Sequence, residues 1–80
     1  MTSNPTSSRN ISCTAIIEKE GTGYVSLCPE LDIASQGNTI EEAKQNLIEA
    51  LELFYETASE TEIESRINNE VFITRVQLTV

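Results

Sequence analysis

Residues 39–59 read as one long amphipathic helix, and that element dictates most of what the chain can fold into. Thr39 stands at an N-cap position, and Glu42, three residues on, completes a capping box in which each side chain serves an orphan N–H. Ile40, Ala43, Leu47, Leu51, Phe54 and Ala58 recur at spacings of three and four, so they share one face. Ile48 and Ala50 widen that stripe, while Glu41, Lys44, Gln45, Glu49, Glu52 and Glu56 take the other side. At 1.5 Å per residue such a helix is about 30 Å long. Its apolar stripe has to be buried against what precedes and follows it.

What precedes it reads as strands. Residues 11–18 (ISCTAIIE) are rich in β-branched and small side chains, and Lys19-Glu20-Gly21-Thr22 turns the chain. Residues 24–28 (YVSLC) run back as the second arm of a hairpin, which Pro29 ends because it has no N–H to donate. Residues 33–36 make a short third strand, closed by Gly37-Asn38. Beyond the helix, Ile63 and Ile67 lie four apart and hint at a further helical turn that Asn68-Asn69 must stop; the role of this 60–69 linker stays open. Residues 71–80 read as a last strand, with Phe72, Val76, Leu78 and Val80 on one face, interrupted by Thr74, and Ile73, Arg75, Gln77 and Thr79 opposite. The expected fold is therefore α+β, a two-layer sandwich of order β-β-β-α-β with one long helix across an antiparallel sheet. Residues 1–10, rich in Ser, Thr and Asn, are expected to be a disordered tail ahead of a single domain, 11–80.

Alternation divides the hairpin into two faces. Cys13, Ala15, Ile17, Tyr24, Ser26 and Cys28 lie on one, whose small side chains suit close approach of the helix. Thr14, Ile16, Val25 and Leu27 lie on the other, where no second helix is available to cover them. Exposed aliphatics of this kind mark an interface, so Ile16, Val25 and Leu27, with Ile73 of the terminal strand, are the candidate surface for a homodimer or higher homo-oligomer. A chain of 80 residues buries only roughly 60–65% of its unfolded surface, which makes help from self-association reasonable.

Charge narrows the partners. Thirteen Asp and Glu against five Lys and Arg give a net −8, which repels nucleic acid and anionic membrane and attracts basic proteins. Glu30, Asp32, Glu41 and Glu42 bracket the third strand and the helix start, forming the acidic rim where a basic partner is expected. The same carboxylates could suggest a magnesium-dependent nuclease, but the capping box and helix dipole already account for Glu41 and Glu42. With no histidine, and with Cys13 and Cys28 among apolar strand neighbours, neither catalysis nor a cofactor is expected. Gly21-Thr22-Gly23 leads into a strand and not a helix, so it reads as a turn and not a phosphate cradle. Residues 1–10 show no secretory pattern and no apolar run reaches the ~20 residues of a membrane span, so the expected location is the cytoplasm, with reduced thiols.

One longer string is more specific. Residues 24–50, YVSLCPELDIASQGNTIEEAKQNLIEA, resemble the HicB-like antitoxin family: a strand ending in CPEL, a connection to SQG, then TIEEA opening an amphipathic helix. The flanking ISCTAIIEKEGTGY, LELFYE and EVFITRVQLTV are similar to the family's opening hairpin, helix end and final strand. The resemblance implies the antitoxin of a type II toxin–antitoxin pair. Its partner would be a HicA-like toxin, a small basic ribonuclease that cleaves messenger RNA and is occluded by the antitoxin. The acidic rim read from charge, Glu30, Asp32, Glu41 and Glu42, is where such a partner is expected to dock. Longer members carry a Pro-Gly pair after the CPEL segment, where this chain has Asp32-Ile33-Ala34. Many members also end in a DNA-binding domain; this sequence resembles a short, stand-alone member, for which no direct binding of nucleic acid is expected. The alternative is a stand-alone oligomeric protein-binding module of the same fold with a different partner.

Overall fold

The structure, a computed structural model, describes residues 11–67 and 70–80. The tail expected over residues 1–10 and the helix stop expected at Asn68-Asn69 lie outside the described residues. Strands β1 (Ile16–Glu20) and β2 (Gly23–Cys28) form an antiparallel hairpin, and β3 (Ile33–Gly37) pairs antiparallel with the far side of β2. The hairpin loop is only Gly21-Thr22, because Glu20 opposes Gly23. Gly21 takes φ +61°, which fits a two-residue loop of type II′ and which glycine adopts without a Cβ clash.

The first strand begins at Ile16, five residues later than the β-rich sequence suggests. Pro29 supplies the reason. Ile16 pairs with Leu27, so extending the register two residues would set Thr14 against Pro29, which has no N–H for the ladder. Thr14 N instead donates to both carboxylate oxygens of Glu30, each at 3.1 Å. A side chain thus holds down the segment that the ladder cannot.

Helix α1 (Ile40–Thr57) starts where the capping box places it. Glu42 N donates to Thr39 Oγ1 at 3.0 Å, and Asn38 N donates to Glu42 Oε1 at 2.6 Å. Ala43 and Leu47 are buried, Leu51 and Phe54 half-buried, and Ile40 is half exposed at the stripe's end. The hint in Ile63 and Ile67 becomes an eight-residue second helix, α2 (Glu60–Ile67), whose Glu62 N donates to Ser59 Oγ at 3.1 Å.

The small-residue face of the sheet lies beneath α1: Ser26 and Cys28 are buried, and Cys28, Leu31 and Leu47 form the core with Cys13, Ile33, Leu51, Phe54 and Tyr55 around them. Two polar ties fix the helix laterally. Ser26 Oγ donates to Ala43 O at 2.9 Å, and Asn46 Nδ2 donates to Gln36 O at 2.7 Å. At Gly37 the helix start approaches so closely that a Cβ would stand 2.5 Å from Ala43 N. As a result α1 packs on β3 and β2 and barely reaches β1.

The expected fourth strand does not form. Residues 70–80 carry no regular structure, and every one of them is exposed, with Phe72 at 85% and Leu78 at 80%. The order is β-β-β-α-α and not β-β-β-α-β, within the same α+β class. β-Propensity expresses fit to a pleated, half-buried surface, and within one chain residues 71–80 find no neighbouring strand to provide it.

Replacing Leu47 by Ala should cost about 2–5 kcal/mol, measured by urea unfolding, since the side chain is 1% exposed and its loss leaves a cavity. Gly37→Ala should cost roughly 1–3 kcal/mol, because backbone, and not a flexible side chain, must move aside.

Candidate protein-interaction surfaces

The four carboxylates expected to make one rim do not share one place. Glu30 and Asp32 lie before β3 and Glu41 and Glu42 after it, and a five-residue strand separates the pairs by about 16 Å. Two of the four are engaged within the fold. Glu42 caps α1 at Asn38 N, and Glu30 ties down residue 14. Asp32 and Glu41 are exposed. Asp32 takes φ 56°, a left-handed conformation that Asp tolerates better than most residues.

Glu30 accepts from Thr14 N, from Thr14 Oγ1 and from Cys28 Sγ at 3.4 Å. The Thr14 hydroxyl is the main reason its carboxyl sits below the usual value, with partial burial opposing the shift. Burial pushes the Cys28 thiol the other way, up to about 11, and its bond to Glu30 adds to that. A thiol held protonated donates well and attacks poorly. Cys28 is 0% exposed, whereas Cys13 is only half-buried; both are free thiols.

The concentrated charge is elsewhere. Glu41, Glu42, Glu49, Glu52 and Glu56 on α1, with Glu60, Glu62 and Glu64 on α2, are all exposed and share the helical layer with only Lys44 and Arg66. Arg66 is spent internally. Its Nη1 donates to Leu31 O, its guanidinium lies 5.2 Å from the centre of the Phe54 ring, and Nη2 is 3.9 Å from Glu62. It seats α2 against the β2–β3 connection. Its role was invisible in the sequence beyond its being a lone cation amid α2 acids. Among the described residues, no three His, Cys, Asp or Glu gather to hold a metal ion, and no described helix is long and apolar enough to cross a membrane.

Two apolar surfaces remain uncovered. On the helix-free face of the sheet, Ile16, Leu27 and Ala34 form one cross-strand row, with Leu27 37% exposed. Val25, two residues from Leu27 on β2, shares that face between Glu18 and Gln36, whereas Ile73 belongs to no strand and is not placed beside these three. The second surface is an open groove of about 1230 Å³ on the helix side, over the segment leading into β1 (Ile11, Cys13, Thr14 and Ala15) and walled by Ile48, Leu51, Tyr55, Ile63 and Ile67. It exists because α1 leans toward β3, and sequence reasoning missed it.

The chain is 50% identical over 46 residues to "UPF0150 protein ssr1765" of Synechocystis sp. (strain ATCC 27184 / PCC 6803 / Kazusa), an overlap covering 55% of this chain and 58% of that protein. The chain therefore matches under two thirds of its relative's length. No family model matches the chain, and no solved structure matches it.

Because Glu30 has its pKa lowered on folding, its contribution to stability is present above the ordinary carboxylate pKa and is lost as pH falls through the folded value. Glu30→Gln should lower stability at neutral pH and flatten its fall in acid, read from denaturant midpoints across that range. A thiol reagent at neutral pH should label Cys13 well before Cys28; equal rates in the folded protein would contradict the buried position of Cys28.

Proposed function

We propose that this chain is a protein-binding module of the HicB-like antitoxin kind, whose partner is a small basic HicA-like toxin that cleaves messenger RNA. The observation that carries the reading is the exposed acidic layer of α1 and α2, eight carboxylates against Lys44 and an internally engaged Arg66. Such a surface steers a cationic protein into encounter and competes with RNA phosphates for the same basic face. The resemblance of residues 24–50 names the kind of partner, and the identity of about half the overlap with a UPF0150 protein is compatible with it, although that name states no activity. Inhibition then requires only occlusion: the toxin's RNA-binding surface is covered, and the antitoxin performs no chemistry. The exposed row of Ile16, Leu27 and Ala34 favours the second reading, an oligomeric module with another protein partner.

Co-expression with a small basic HicA-like toxin should yield a complex in which RNA cleavage is suppressed. Its affinity should fall as salt rises, and the double variant Glu41→Lys, Glu49→Lys should weaken it at least tenfold, about 1.4 kcal/mol. Failure to associate at low salt, or affinity indifferent to both salt and charge reversal, overturns the reading.

A further inference from the structure

The groove over residues 11–15, the lead-in to β1, and the irregular segment 71–80 are complementary in polarity and charge. On the groove side, Ala15 faces the helix layer yet is exposed, and Ile48 is 37% exposed, so this part of the sheet and the flank of α1 lack a cover. The outer edge of β1 is unpaired among the described residues, since β1 bonds only to β2. On β3, by contrast, the Gln36 carbonyl is already taken by Asn46. The missing piece is therefore one amphipathic strand beside β1, with one apolar face under α1. Residues 71–80 have that pattern: Phe72, Val76, Leu78 and Val80 alternate with Ile73, Arg75, Gln77 and Thr79. They contain no acidic side chain and one cation, Arg75, while the groove is rimmed by Glu52, Glu56, Glu60 and Glu64.

We propose that segment 71–80 of one copy occupies the groove and the β1 edge of a second copy, so that two chains exchange terminal strands. In its own chain the segment leaves the body after Val71, which lines a cleft with Ile11, Leu31, Tyr55 and Ile67, and Phe72, Val76, Leu78 and Val80 are each at least 75% exposed. Ten residues in extended form span about 33 Å, enough to run along residues 11–20. Each copy offers one groove and one strand, so a two-fold axis satisfies both and the assembly closes at two. Main-chain bonds to the β1 edge supply affinity, and the alternate apolar side chains set the register. This interface is distinct from the outer face of the sheet and independent of the antitoxin reading.

Sedimentation equilibrium tests it. The full chain should be a dimer at about 100 μM. A chain lacking residues 72–80 should be a monomer with unchanged circular dichroism, as should the double variant Val76→Pro, Leu78→Asp, since Phe72, Val76, Leu78 and Val80 are each at least 75% exposed in their own chain. Ile48→Glu should also give a monomer, and mixing it with the truncated chain should restore a heterodimer from one intact strand and one intact groove. A dimer that survives truncation places the interface elsewhere and overturns the proposal, as does dissociation by Leu27→Glu alone with the terminal amides of 71–80 unprotected. A full-length monomer also overturns it: protection of those amides from hydrogen exchange would mean that the strand docks within its own chain, and their free exchange would leave the groove to a different protein.

Discussion

The lateral position of α1 on the sheet is the constraint from which the rest of the molecule follows. Gly37 lets the first turn of the helix settle against the end of β3, where any side chain would collide with backbone. Ser26 then holds Ala43 from below, and Asn46 holds Gln36 from the β3 side. All three features act toward β2 and β3, and none toward β1. Burial of Leu47 and Cys28 rewards that position, but a single helix is not wide enough to cover three strands from there. The open ground over residues 11–15, ahead of β1, is the geometric consequence.

Charge is divided along the same lines. The acidic side chains crowd the solvent side of α1 and α2, whereas residues 71–80 hold none. Like charges packed on neighbouring helices repel, so the layer costs some stability while keeping the body soluble. Arg66 offsets part of that cost by seating α2 through Leu31 O and Phe54. Six of the exposed large apolar side chains, Val71, Phe72, Ile73, Val76, Leu78 and Val80, are gathered in one terminal stretch, separate from the acids.

Legibility varied with the range of the interaction. The start of α1 was readable because Thr39 and Glu42 act within one turn, and the buried face of the sheet because alternation puts Ser26 and Cys28 together. The late start of β1 was not, since it depends on Thr14 meeting Pro29 and then Glu30 sixteen residues away. The same contact turned Glu30 from an expected rim residue into an internal tie. A sequence displays a carboxylate's charge but not the donors waiting for it. Gly37 read as a strand end, and only the approach of α1 explains why a side chain is forbidden there. The groove was equally hidden, because it reflects where a helix lands and not that a helix exists.

The terminal segment marks the limit of reading a strand from one chain. Alternating apolar and polar residues describe what a segment would do beside a pleated neighbour; they do not supply the neighbour. Residues 71–80 satisfy the pattern, yet their backbone donors and acceptors find no ladder in their own chain. An extended apolar segment of that kind is a hazard in solution unless something covers it. The free outer edge of β1, with the groove over its lead-in at residues 11–15, offers such a neighbour, and the acids on the groove's rim complement Arg75. The pattern that misled as a statement about one chain is consistent as a statement about two.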